Sequence, residues 1–211
     1  MKILDSSEVR VLGALLEKEA TTPEYYPLSL NALINACNQK SNRDPVVEYD
    51  ERTVSDAVNG LREKKLALTI SGSGRVNKYA QRISETLNLG RRELAVLATL
   101  LLRGPQTLGE IKDRSERMFP FGDLGETETV IEKLAEYPEG PLAKKLPRLP
   151  GQKEARYAHL LSGEPRVESN REVVVANSPS PLGQLENELH QLRSDFNDLK
   201  QRFDELEKQL R

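Results

Sequence analysis

Few residues in this chain of 211 could do covalent chemistry. Two histidines, His159 and His190, and one cysteine, Cys37, are the side chains whose ordinary pKa lies nearest neutral. A histidine works as a general base beside a nucleophile that it can deprotonate, and neither histidine has such a partner near it in sequence. Both read as surface histidines, His159 after a β-prone run and His190 on a helix beside Leu189. A lone cysteine permits neither an intrachain disulfide nor a multi-cysteine metal site. Cys37 lies close to Leu33 and Ile34 on the apolar side of a predicted helix and reads as a small core residue. The run Ser71-Gly72-Ser73-Gly74 lacks the lysine and hydroxyl of a phosphate loop and precedes a strand, which makes it a hairpin turn. The carboxylates are interleaved with Lys and Arg along helices, as on a solvated face. No catalytic residue, metal ligand or cofactor is expected, and the chain reads as a non-enzyme.

Cations and amides form a more coherent pattern. The segment "NQKSNRDP" (38–45) carries only polar, charged or imino side chains and offers Lys40, Ser41, Asn42 and Arg43. A predicted helix just after it carries Arg52, Ser55, Asn59 and Arg62, and the hairpin beyond adds Arg75, Lys78 and Arg82. A second hairpin holds Lys144, Lys145 and Arg148. Guanidinium and ammonium groups neutralise phosphates, while Asn and Ser can read base edges. The total of 31 Lys plus Arg against 33 Asp plus Glu excludes an indiscriminate polycation but leaves room for a local basic surface. Two readings of 38–45 stand: a turn satisfied by its own hydrogen bonds, or a binding surface. On the second, Lys40→Ala and Arg43→Ala should weaken binding and leave stability nearly unchanged, whereas Asn38 and Asp44 act as caps of the turn.

The elements that must position these groups repeat. "EVRVLGALLE" (8–17) matches "ELAVLATLLL" (93–102), with Glu8, Val11, Leu12, Leu15 and Leu16 in register with Glu93, Val96, Leu97, Leu100 and Leu101. Both show helical spacing, and Asp5 followed by Glu8 signals a capping box. A second helix follows in each copy, with Leu30, Leu33 and Ile34 in one and Leu108 and Ile111 in the other. Third helices carry Val54, Ala57, Val58 and Leu61, then Val130, Ile131 and Leu134. Each copy closes on two short β-prone runs, around "SGSG" and around Pro150-Gly151. The expected fold is mainly α with small β-hairpin wings (α+β). Two tandem winged helix-turn-helix domains, 1–84 and 85–162, precede a linker, 163–181, in which "VVVA" (173–176) could add one strand.

Residues 182–211 predict a coiled coil. Leu182, Leu185, Leu189, Leu192, Phe196, Leu199, Phe203, Leu206 and Leu210 alternate three and four apart, an unbroken heptad seam. In a parallel pair, Glu188–Arg193, Asp195–Lys200 and Arg202–Glu207 are all attractive. A homodimer through this helix, about 45 Å long, is therefore expected. The opening "MKILDSSEVR" has too short an apolar run for a secretory signal, and no run approaches a membrane span, so the expectation is a cytoplasmic protein without membrane contact.

Charge separates the two copies. Arg52 and its neighbours stand among Asp50, Glu51, Asp56 and Glu63, a mixed surface, whereas the third helix of the second copy sets Glu126, Glu128, Glu132 and Glu136 against Lys133. Copy one with its wing reads as a reader of double-stranded DNA, and the acidic helix of copy two suits a protein partner instead. "YPLSLNALINACNQKSNRDPV" (26–46), "LLLRGPQTLGEIKDRSERM" (100–118) and "FGDL" (121–124) resemble the signature segments of the YceH-like family of uncharacterised bacterial proteins. That resemblance covers both repeats and implies a tandem winged-helix fold with no known activity, ligand or cofactor. The leading expectation is a dimeric DNA-binding protein of regulatory type. The alternative is a non-catalytic protein-interaction module built from the same two domains.

Overall fold

Helix α1 (Ser6–Thr21) begins at Asp5, whose carboxylate accepts hydrogen bonds from the amides of Ser7 and Glu8 while the Asp5 amide donates to Glu8. The capping box expected from the sequence is thus formed, and it satisfies amides that the first helical turn leaves orphaned. The computed structural model describes residues 3–71, 76–148 and 151–165. After α1, a 3-10 turn (Pro23–Tyr25) leads into β1 (Leu28–Ser29), and Ser29 caps α2 (Leu30–Cys37). Asp50 caps α3 (Glu51–Glu63) by accepting from the Thr53 amide, and β2 (Ala67–Ile70) and β3 (Lys78–Gln81) follow.

The short α4 (Ile83–Thr86) joins this run to a second one of the same order: α5 (Arg91–Arg103), α6 (Leu108–Ser115), α7 (Leu124–Ala135), β4 (Ala143–Lys145) and β5 (Tyr157–His159). Thr107 and Glu110 build another capping box at α6, and Asp123 caps α7. The fold is α+β, with seven helices and small antiparallel sheets among the described residues.

In the first sheet the order is β1-β3-β2, with Leu28 opposite Tyr79 and Ala67 opposite Gln81. In the second, Ala143 faces His159, and Gln106 bridges to Tyr157 much as β1 pairs with β3. The strand β1 and helix α4 were not expected from the sequence. At two and four residues they are shorter than any stretch in which periodicity can show.

The centre is the contact between α1 and α5. Every residue from Glu8 to Glu17 is buried, because one side of α1 packs on α2 and α3 and the other on α5. A helix covered on all sides must be largely apolar, and the charges that α1 and α5 bury have partners: Glu8 with Lys64, Arg10 with the Pro45 carbonyl, Glu17 with Arg43 and Glu93 with Lys133. Gly13 makes the approach tight: a Cβ there would stand 2.9 Å from the Leu102 side chain. The division expected between residues 84 and 85 falls inside α4, and both repeats feed one apolar cluster containing Leu12, Leu15, Leu33 and Leu61 together with Leu97, Leu100, Ile111 and Leu134. Residues up to Val167 form one compact unit. Of the expected features, Arg75, the "VVVA" run, His190 and the whole heptad seam lie outside the described residues.

Candidate nucleic-acid interface

Helix α3 is positioned from its buried side. Val54, Ala57, Val58 and Leu61 are at most 3% exposed, and burial of each of the larger ones stabilises by about 1.5–3 kcal/mol. This leaves Arg52, Asn59 and Arg62 exposed and Ser55 half-buried. The Arg52 side chain is 90% exposed and sits 3.8 Å from Asp56, a solvated pair that leaves it available. The Arg62 guanidinium donates to Asn59 Oδ1 at 3.0 Å, so two candidate readers brace one another. Lys78 and Arg82 are exposed at the two ends of the β3 segment, Arg82 beside Glu85 at 3.4 Å. In the α2–α3 turn, Lys40 and Ser41 are exposed and Asn42 is half-buried, with a left-handed φ of 60°.

Arg43 is not a surface cation. Its side chain is fully buried, its guanidinium pairs with Glu17 at 2.7 Å and donates to the carbonyl of Ala36, and further bonds run to Gln39 and the Asn42 carbonyl. A group so enclosed contacts no phosphate while the chain is folded. The reason lies in the path of the turn. The Asp44 amide donates to the Leu102 carbonyl at 2.9 Å, Arg103 donates to Asn42, and Arg10 donates to the Pro45 carbonyl. The segment 42–45 straps the first repeat to the C-terminal end of α5, and Arg43 is its buried pin. Asn38 closes the turn by a two-way bond with the Tyr49 backbone, donating and accepting at 2.8 Å. For most of 38–45 the self-satisfied reading therefore describes the molecule, and Lys40 is the cation it leaves in solvent.

The second hairpin is less open than its charge suggests. Lys144 pairs with Glu164 at 2.8 Å, Lys145 lies over the Tyr157 ring at 5.5 Å, and Arg148 donates weakly to the Lys153 carbonyl at 3.4 Å. Arg156 donates to the Pro105 carbonyl and to Glu110. On α7 and at its C-cap, Glu132 and Glu136 are exposed and Glu128 is half-buried, so this helix presents an acidic face.

The titrating groups do not converge. Burial pushes the Cys37 thiol up to about 12, which keeps it a protonated core residue. His159 is not the surface histidine its sequence suggested. It is half-buried, its Nδ1 is enclosed without a partner, and burial lowers its pKa to about 4. Two other features escaped sequence reading because their residues are far apart along the chain. One is a cavity of about 700 Å³ between α1, α4 and α5, where burial raises the pKa of Glu19 beside the Gln81 amide at 2.8 Å. The other is a small recess where Arg103, Arg114 and Arg117 meet.

The comparisons with known proteins agree with this architecture's spread over both repeats. A family described as a protein of unknown function, DUF480, matches residues 4–152. The chain belongs to this family. Consistent with the YceH-like resemblance, its relatives are bacterial UPF0502 proteins. One from Solibacter usitatus is 58% identical over 164 residues, 78% of each chain. Others from Pelobacter propionicus and Geobacter sulfurreducens are 55% and 52% identical, covering 84% and 88% of this chain and 80% and 84% of theirs. Among the described residues no helix is long and apolar enough to cross a membrane.

Proposed function

We propose that the protein is a dimeric, DNA-binding, non-catalytic protein of regulatory type, cytoplasmic, whose two repeats are tandem winged-helix domains. Three helices followed by a hairpin, twice in the same order, support the winged-helix reading. The observation that carries the DNA reading is the outward face of α3, where Arg52, Asn59 and Arg62 stand free of any buried partner, with Lys78 and Arg82 exposed on the adjoining hairpin. A third helix in the major groove with its hairpin against phosphate would use these groups for base edges and backbone. The heptad seam of residues 182–211 pairs two such readers. Lys144, Lys145 and Arg148, already engaged within the second hairpin, contribute less.

The alternative, a protein-docking module, is favoured by one feature: the acidic face of α7 with Leu124 exposed to 49% at its start. Fluorescence anisotropy with a mixed-sequence duplex between 50 and 200 mM salt separates the two. DNA binding should weaken with a log–log slope of roughly 0.9 per phosphate contact, and Arg52→Ala with Arg62→Ala should lower affinity at least tenfold. Binding that ignores salt, or a double variant that binds as the parent does, removes the DNA reading. Sedimentation of the full chain against a truncation after Ser180 tests the dimer, and a monomer in both overturns it.

A further inference from the structure

Arg10, Arg43, Arg103, Arg114 and Arg117 surround the seam between α1, the α2–α3 turn, α5 and α6, and the last three point to a ligand. Arg103, Arg114 and Arg117 line one recess together with Asn42, Thr99 and Glu17. Two of the carboxylates nearby are engaged, while Asp44 is close enough to act on Arg103. Glu17 is held by the buried Arg43 at 2.7 Å, and Glu110 is shared between Arg114 at 3.3 Å and Arg156 at 3.1 Å. Arg117 is exposed and has no partner among the described residues, and Arg103 is held there by a neutral amide oxygen of Asn42. Arg103 and Arg117 thus stand in the recess without an ion-pair partner among the described residues, and Arg114 shares its one carboxylate with Arg156.

Like charges gathered this way repel, and the repulsion is felt. The Arg103 pKa is lowered by burial first and then by Arg114; Glu17 opposes this, Arg43 adds to it, and Asp44 opposes it least. An arrangement held at that cost by packing is relieved by an anion. Guanidinium forks match the spacing of phosphate oxygens and bind them in pairs. The recess itself has a volume of about 20 Å³, room for roughly one water-sized group. A bound anion must therefore seat one or two oxygens inside and leave its remainder in solvent.

We propose that this recess is a phosphate-group site, with Arg103, Arg114 and Arg117 as its ligands. It stands apart from the α3 surface and does not rest on the DNA reading. The phosphate could belong to a small phosphorylated molecule or to a nucleic-acid backbone, and the recess chemistry is the same for both.

The full chain should be titrated with inorganic phosphate, and separately with pyrophosphate, against sodium chloride at matched ionic strength. Thermal unfolding and calorimetry supply the readouts. Phosphate should raise the unfolding midpoint, and Arg117→Gln should reduce its affinity at least tenfold. That variant should fold, because Arg117 is exposed and bonded to nothing among the described residues. Arg91→Gln, which removes another exposed cation outside the recess, should change nothing. An equal response to phosphate and chloride, or an equal loss in both variants, overturns the site.

A duplex-binding arm assigns the source. If Arg117→Gln also lowers the salt slope of DNA binding by about one, and inorganic phosphate competes, the group is a backbone phosphate. If DNA binding is unchanged while the phosphate response is lost, the ligand is a small phosphate. Failure of the α3 variants to affect DNA binding would sink the DNA reading and leave this result standing.

Discussion

The two repeats bury the same positions and expose different ones. Aligned from their N-caps, Asp50 and Asp123, the third helices pair Val54, Ala57, Val58 and Leu61 with Thr127, Val130, Ile131 and Leu134, and all eight are buried. The outward positions diverge: Arg52, Ser55, Asn59 and Arg62 fall on Gly125, Glu128, Glu132 and Ala135. Volume constrains the inner face, since removing or adding methylenes in a packed core costs 1 kcal/mol or more, roughly. Charge on the outer face is free to drift or to specialise.

A polar detail is retained inside as well. Glu8 and Glu93, both buried in the first turns of α1 and α5, each receive a lysine from the third helix of their own repeat. The lysine comes from a different place each time. Lys133 occupies the position equivalent to Gly60, where the Glu8 carboxylate leaves no room for a side chain, so in the first repeat Lys64 reaches in from the end of α3.

The largest break of the comparison is at Arg43, whose partner Glu17 falls on Leu102 when α1 is aligned on α5. Arg43→Ala leaves Glu17 buried without its cation and should cost about 3–5 kcal/mol in urea unfolding, the usual penalty for half of a buried pair. Lys40→Ala, three residues earlier and exposed, should stay within about 0.5 kcal/mol. Similar small values for both would mean that the strap across α5 contributes nothing to folding.

Next in size is the contrast between Gln81 and His159, which end equivalent strands. The Gln81 amide donates to Glu19 and Ser84, while the His159 ring is enclosed with Nδ1 unpartnered. The folded pKa of His159 is about 4 against an ordinary 6.5, so between these values the unfolded chain binds a proton that the folded chain refuses. Stability is complete above pH 6.5 and falls as pH drops toward 4, by up to ~3 kcal/mol. His159→Gln should flatten that part of the curve. Glu19, whose folded pKa is raised, works in the opposite direction, and His190 is common to both proteins, so the difference between them isolates His159. A parallel pair of curves would show that His159 is solvated and titrates normally.

Much of this architecture was legible because it is local. Asp5 with Glu8, the spacing of Leu12 and Leu15, and the match of α1 to α5 are read within a few turns of helix. The path of residues 42–45 across α5 was not, since nothing in "NQKSNRDP" records that Asp44 meets Leu102 or that Arg43 turns inward to Glu17. Composition gave Arg43 the look of a surface cation, and only the long-range contact decides otherwise. The recess of Arg103, Arg114 and Arg117 was hidden for the same reason: its residues come from two helices and the short segment beyond the second, and α6 taken alone is an ordinary charged helix. His159 was missed because a β-prone run does not say which side of its strand is covered.

The smallest stability effect, and the sharpest test of specialisation, comes from giving α7 the outward residues of α3. Glu128→Ser with Glu132→Asn copies Ser55 and Asn59 onto a helix whose buried face already matches. Neither glutamate side chain appears in an ion pair or hydrogen bond among the described residues, so the double variant should unfold within about 0.5 kcal/mol of the parent. Its function should shift more than its stability. Two fewer negative charges remove repulsion of a phosphate backbone, and duplex affinity should rise by a few-fold at low salt, fading as salt screens the change. If the acidic face instead serves a protein partner, the same substitutions leave DNA binding untouched and weaken that partner's capture. Equal DNA binding before and after the exchange, at 50 mM salt, would show that α7 faces away from any bound duplex and that the reading surface belongs to the first repeat alone.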